Sequence, residues 1–356
     1  MNVAIVGIGT WLPEATRSND AWPPEFSERV HARGDRTFND IPPSDDPVAA
    51  AILARDLEAE ARDPFLGAKV RHVASDRMTA AEAEVQAGLA ALRDAGLSPG
   101  DVDLVISSSN VPDRLLPTAA TAVAHRIGAD RALGLGIDVA CAGSVVQLDI
   151  ARAYIMAGLA QTALLVQSHL LLRTIAMEHP ASPGLGDGAS AMVVTRGSGL
   201  QVRSTFAVSQ GEHAMAVTWV RGIDDSSDLP WWKAGCEFRL GSRDPARAKV
   251  LMRDTVTFGA ATIREAARRG DVDVSEIDAI ASVQPRGFMP HAIAERLGVP
   301  RERAVTTYEQ IAHVGVCGPV FNLARARALG RCAPGKVSAM YGQGAGFTRA
   351  AAILEA

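Results

Sequence analysis

Ile137-Asp138-Val139-Ala140-Cys141-Ala142-Gly143 leads into a helical stretch that closes at Gly158, and Thr307-Tyr308-Glu309-Gln310-Ile311-Ala312-His313-Val314-Gly315 leads into one that closes at Gly330. Cys141 and His313 each stand 17 residues before the closing glycine, and each has a glycine two residues on. The match extends outward. The helix end Ala90-Ala91-Leu92-Arg93-Asp94-Ala95-Gly96, before the strand Asp103-Leu104-Val105-Ile106, is echoed by Ala266-Ala267-Arg268-Arg269-Gly270 before Asp278-Ala279-Ile280-Ala281. Gly186-Asp187-Gly188 precedes an apolar run at 191–194, as Gly344-Ala345-Gly346 precedes one at 350–354. Any one pair could be accidental, because glycine-terminated helices are common. Three pairs in the same order predict two copies of one unit, residues 1–185 and 186–356.

Around these stretches, strand-like apolar runs alternate with Ala-rich helical ones, which is the pattern of an α/β protein. A chain of 356 residues, 47% hydrophobic and 21% charged, has ample material for a buried core. Residues 23–63 differ, being rich in Pro, Asp and Arg, and read as a surface excursion with one short helix over 47–62. The net charge is −4 and the basic residues, mostly Arg, are scattered, so no nucleic-acid footprint is expected. The start, Met1-Asn2-Val3-Ala4-Ile5-Val6-Gly7, reads as a strand and not as a signal peptide. The longest apolar stretch, Tyr154 to Leu172, is broken by Gln161, Gln167, Ser168 and His169. It falls short of the ~20 apolar residues of a membrane span and reads as a buried element. Four cysteines without a secretory signal point to reduced thiols in a cytoplasmic protein. No C-x-x-C or H-E-x-x-H spacing occurs, so no metal site is expected.

Cys141 stands where a strand gives way to a helix. The unpaired N–H groups and positive dipole end there favour a thiolate, and Ala142 and Gly143 leave room for a substrate to approach the sulfur. A small buried cysteine filling a junction fits the same local sequence. The duplication places His313 at the same junction of the second copy. Two copies packed about a pseudo-two-fold axis would bring thiol and imidazole together as nucleophile and base. Alone, His313 reads equally as a core or capping histidine. The other seven histidines, His169 among them, have no comparable placement and read as structural or surface residues.

Asp138-Val139-Ala140-Cys141-Ala142-Gly143, Gly186-Asp187-Gly188-Ala189 and Gly344-Ala345-Gly346-Phe347-Thr348 resemble the motifs of ketoacyl-ACP synthase III and its relatives. Gly7-Ile8-Gly9-Thr10-Trp11-Leu12-Pro13 looks like that family's opening, and the resemblance spans nearly the whole chain outside 23–63. It implies a thiolase fold, two duplicated α/β halves forming a five-layered αβαβα core. It also implies an acyl group carried on Cys141, an oxyanion hole made by the backbone N–H groups of Cys141 and Ala345, no permanently bound cofactor, and a homodimer.

The family's Cys-His-Asn set is altered here. Gln284 falls at the position of its His and His313 at the position of its Asn. The family's Trp- and Arg-containing coenzyme A clamp is not recognisable, which favours acyl carrier protein over coenzyme A as bearer of the phosphopantetheine thioester. Carbon–carbon condensation needs two donors on the extender's thioester oxygen, which Gln284 and His313 would supply in exchanged order. Transfer to a hydroxyl or amine needs one base, for which Cys141 plus His313 suffices. The latter resembles a branch of the family that esterifies hydroxyls in secondary metabolism. That branch often carries an acid a few residues after the His; here Val314, Gly315, Val316 and Cys317 follow, and Glu309, placed on a strand before His313, is the one substitute, although it reads first as an exposed residue. The expectation is an acyltransferase moving an acyl group from a carrier-protein thioester, through Cys141, to a small-molecule hydroxyl or amine. A condensing enzyme and a non-catalytic subunit of a synthase are the alternatives.

Overall fold

The computed structural model describes residues 2–28, 41–221 and 238–356; Cys236 lies outside them. Its strands are β1 (Val3–Trp11), β2 (Thr16–Ser18), β3 (Val70–His72), β4 (Leu104–Ser109), β5 (Leu133–Gly136), β6 (Thr162–His169), β7 (Gly188–Arg196), β8 (Leu200–Ser209), β9 (Thr218–Arg221), β10 (Phe238–Gly241), β11 (Ile277–Ser282), β12 (Ala304–Val305), β13 (Val337–Gly344) and β14 (Thr348–Glu355). The helices used below are α1 (Pro47–Glu60), α2 (Ala80–Ala95), α3 (Ala119–Ile127), α4 (Gly143–Met156), α5 (Pro245–Arg269), α6 (Met289–Leu297) and α7 (Gly318–Ala328).

The ten-stranded sheet runs β12-β11-β13-β14-β8-β1-β7-β6-β4-β5. Read outward from its centre, one side, called the first sheet below, is β1-β7-β6-β4-β5, and the other, the second sheet, is β8-β14-β13-β11-β12. Directions repeat as well: the two inner pairings on each side are antiparallel and the two outer ones parallel. Within the sheet the sides are joined by the β1–β8 pairing, Ala4 with Gln201 and Ile5 with Leu200. Strand order groups β7 with the first copy, although a division at 185/186 would group it with the second.

Alternation along the strands builds the layers. Leu104 and Ile106 of β4 face inward onto Val145, Leu148 and Ile155 of α4, which meet Val320 and Leu323 of α7 and Met340 of the second sheet. Val105, between them in sequence, faces outward onto α2 and α3. The second sheet covers its outer face with α5 and α6, through Ile263, Ile293 and Leu297. Helices and sheets thus stack as α2/α3, first sheet, α4/α7, second sheet, α5/α6, the five-layered arrangement that the resemblance implies.

Two expectations change. The excursion at 23–63 is not wholly a surface feature. Asp46 caps α1 by accepting from Ala49 N–H, with Pro47 at the first position, and Ile52, Leu53 and Leu57 pack on Val256 of α5 and Ala292 of α6. The copies also match in a different register from the 17-residue spacing. Single 3-10 turns at Ala140–Ala142 and Gly315–Cys317 run directly into α4 and α7. The residue that opens each turn, Ala140 or Gly315, has positive φ, 47° and 51°. The structural counterpart of Cys141 is therefore Val316, and His313 lies three residues earlier, opposite Asp138. The equal spacing arose because α7, at 11 residues, is shorter than α4, at 14.

No helix among the described residues is long and apolar enough to cross a membrane.

Candidate active site

At the contact between the copies, Cys141 Sγ lies 3.9 Å from His313 Nε2. The turn bearing the cysteine is braced by Asp138, whose carboxylate accepts from Ala140 N–H at 3.0 Å. His313 is clamped by the segment before β7: its N–H donates to Gly184 O (2.9 Å) and its carbonyl accepts from Gly186 N–H (3.0 Å). Ala312, just before it, has φ 56°, backbone strain of the kind that concentrates at sites whose surroundings over-determine them.

Gln284 does not join this pair. It is fully buried, and both its N–H groups are committed, to Thr307 Oγ1 (3.1 Å) and Ala312 O (3.0 Å). Its Oε1 accepts from Thr306 Oγ1 (2.9 Å), Thr307 N (3.3 Å) and Asn322 Nδ2 (2.9 Å). The side chain ties down the loop that delivers His313 and has no donor left for a substrate. Glu309 lies not on a strand but in a single helical turn, Tyr308–Ile311, and its exposed carboxylate pairs with Lys69 Nζ at 2.8 Å. It therefore does not orient His313, whose buried Nδ1 has no hydrogen-bond partner.

Gly344 brings the end of β13 onto the cysteine turn. A Cβ there would lie 2.8 Å from Cys141 N and collide with Val139 O. Ala345 follows directly, so its backbone is next to the sulfur's turn. Gly143 leaves no room for a substrate, contrary to expectation: a Cβ on it would collide with Ser108 Oγ and come within 2.8 Å of Val316 Cγ2. Its role is to let the two 3-10 turns approach.

Two site residues escaped the sequence reading. Asn110, just past β4, places Oδ1 3.9 Å from Cys141 Sγ and accepts there from Val316 N–H at 3.1 Å. His169, the last residue of β6, has its Nδ1 2.8 Å from the same oxygen, and its ring centroid is 5.6 Å from that of His313. The signal available was position: carboxyl ends of parallel strands are where α/β sheets build sites, and β4 and β6 are such a pair.

Burial dominates the electrostatics. The Cys141 thiol is pushed up to about 12 by burial and then by the charge of Asp138, against which its own backbone N–H is a smaller opposing effect. His313 is lowered to about 4 by burial. His169 is held well below the ordinary imidazole value by burial and by its neighbour His313. At neutral pH the resting pair is thiol and neutral imidazole, not the thiolate expected from the helix terminus. Attack by this sulfur would require the thiolate, and His313 Nε2, at 3.9 Å, is the base within reach of its proton. Alkylation of Cys141 by iodoacetamide, followed by peptide mass spectrometry, is therefore expected to be slow at pH 7 and to keep accelerating beyond pH 9. A plateau reached by pH 7 would show a resting thiolate and refute this.

Among the described residues no group of three His, Cys, Asp or Glu side chains could hold a metal ion.

Comparison with known proteins places this geometry. Residues 135–211 match the family model 3-oxoacyl-[acyl-carrier-protein (ACP)] synthase III, and residues 267–356 match that family's C-terminal model. The beta-ketoacyl-[acyl-carrier-protein] synthase III of Paramagnetospirillum magneticum is 30% identical over 295 residues, 81% of this chain and 87% of the relative. The crystal structure of 3-oxoacyl-(acyl carrier protein) synthase III from Pseudomonas aeruginosa PAO1 superposes with TM-score 0.77 at 25% identity, covering 100% of this chain and 98% of that one. Xanthomonas campestris OleA, solved with lauric acid and lauroyl-CoA, has TM-score 0.75 at 20% identity, covering 100% and 99%, a likeness of fold.

Proposed function

Since the chain belongs to the 3-oxoacyl-[acyl-carrier-protein] synthase III family of thiolase-fold transferases, we propose that it moves an acyl group from a phosphopantetheine thioester, through Cys141, to a hydroxyl or amine of a small molecule. The observation that supports this most is that Cys141 stands with one imidazole at 3.9 Å while Gln284 has both its N–H groups committed elsewhere. One base serves transfer to oxygen or nitrogen; a second donor, which condensation requires, is missing at that position.

In the first half-reaction His313 Nε2 takes the Sγ proton as sulfur attacks the thioester carbon. The oxyanion rests on the backbone N–H groups of Cys141 and Ala345. Collapse expels the pantetheine sulfur, which takes the proton back from His313. In the second, His313 takes the proton of the acceptor O–H or N–H as it attacks the acyl carbon. The C–S electron pair returns to Sγ with that proton.

An acyl carrier protein suits the donor side better than coenzyme A. Trp22, the second of two tryptophans near the N-terminus, is buried against Phe26 and Phe65, with the Arg71 guanidinium 4.8 Å over its ring, and offers a coenzyme no free face. A homodimer is part of the proposal; in it, a contact over the exposed Leu115 and Leu116, side by side beyond β4, would remove apolar surface from water.

The names of the relatives favour a second reading, carbon–carbon condensation. One experiment decides between them. The protein is incubated with a panel of acyl-carrier and acyl-coenzyme A donors, then with malonyl thioester or with alcohols and amines, and followed by intact-protein mass spectrometry and product analysis. An acyl adduct that passes to an alcohol or amine without release of carbon dioxide is expected. Carbon dioxide released from malonyl thioester with a 3-oxo product would establish condensation instead.

A further inference from the structure

We propose that His169 is the positioning residue for His313, the last link of a relay that runs from the backbone N–H of Val316 through Asn110 and His169 to His313 and Cys141. The inference rests on the acyl-Cys141 reading, since it concerns the base that serves that sulfur.

The relay follows from assigning protons one link at a time. Val316 N–H needs an acceptor, so the Asn110 atom it meets is the oxygen; the amide cannot be flipped without setting donor against donor. That oxygen also meets His169 Nδ1 at 2.8 Å, so Nδ1 carries the proton. In a neutral imidazole the other nitrogen is then a bare acceptor. His169 Nε2 is thus a lone pair in a residue only 2% exposed, and it has no partner.

On the neighbouring ring the assignment runs the other way. To take a proton from Cys141 Sγ, His313 Nε2 must be bare, so Nδ1 carries the hydrogen. That Nδ1 is also buried and without a partner. One orphan is a donor and the other an acceptor, on rings whose centroids are 5.6 Å apart. An unpaired buried polar group is costly, and a ring rotation that brought His313 Nδ1–H onto His169 Nε2 would satisfy both. Gly315 protects the arrangement, because a Cβ there would collide with both His169 Nδ1 and Asn110 Oδ1.

The chain starts at a backbone amide and contains no carboxylate. It fixes the tautomer of His313 without placing a negative charge beside it, consistent with an imidazole that burial keeps neutral. The acid missing after His313 in the sequence is replaced by a histidine from the other half of the fold.

Two substitutions distinguish this role from packing. His169→Asn keeps a donor where Nδ1 meets Asn110 but has nothing where Nε2 lies. His169→Gln reaches the Nε2 position with an amide oxygen. The readout is single-turnover acylation of Cys141 in the full-length protein by hexanoyl-pantetheine, quenched at intervals and weighed intact. The Asn variant is expected to acylate about 10²-fold more slowly than wild type, the loss typical of a misplaced catalytic group. The Gln variant is expected to retain most of the wild-type rate. A wild-type rate in the Asn variant, or equal losses in the two variants, would overturn the relay and leave His169 as a support for Asn110. Absence of any adduct on wild-type protein would sink the acyl-Cys141 reading, and the relay with it.

Discussion

A Cys141→Ala variant is expected to take up no acyl group from any thioester donor, and its turnover to fall by on the order of 10⁴–10⁶-fold, the scale on which removal of a covalent nucleophile acts. The structural cost is small. The substitution removes one sulfur atom, and the Sγ contacts to His313 and Asn110 are long, at 3.9 Å each. The midpoint of thermal unfolding should move by no more than a few degrees, the equivalent of about 1 kcal/mol or less. A large chemical loss on an intact fold isolates the sulfur. Intact mass, measured after exposure to hexanoyl-pantetheine, reads the loss directly. An adduct that survives on the alanine protein would move the nucleophile elsewhere. Cys317 is a poor candidate, because it is fully buried, donates to Gly188 O at 3.5 Å, and has its thiol pushed up by burial.

What could be read in the sequence and what could not divide along a physical line. The duplication was legible because its signals are local: glycines that end helices, apolar runs that make strands, and the order in which they recur. Strand order and strand direction repeat in the structure as those signals require. The register was not legible, since spacing to a closing glycine measures helix length, and the second helix is shorter. Asn110 was hidden in a serine-rich run that reads as a turn, and its defining contact is with Val316, 206 positions away. His169 ends a buried strand and reads as a core histidine until Asn110 and His313 are placed around it.

Gln284 shows the opposite failure. Its residue type and position suited catalysis, but a side-chain amide whose five hydrogen bonds join Thr306, Thr307 and Ala312 to Asn322 of α7 acts as scaffold. The thiol's state failed for a related reason. A helix terminus is a local feature and burial is not, and for Cys141 burial is the larger effect.

His313→Ala is expected to separate the two half-reactions. The Cys141 thiol, pushed up to about 12, loses the base that takes its proton, so acylation slows. Raising the pH supplies thiolate directly and restores that step in part. No such route serves an alcohol acceptor, whose proton is far less acidic than that of a thiol. Transfer is therefore expected to fall by about 10²–10⁴-fold, the usual contribution of a positioned general base. The acyl-enzyme then accumulates, and intact mass should show close to one adduct per chain persisting after acceptor is added. Loss of the ring leaves a cavity in a buried place, but it also removes an Nδ1 that has no partner. The two effects oppose, and stability should change less than for an apolar ring of the same size. Wild-type turnover in this variant would remove His313 from the mechanism. A persistent adduct would in addition exclude a purely structural subunit, because a protein that only binds a synthase has no reason to hold an acyl group on its own sulfur.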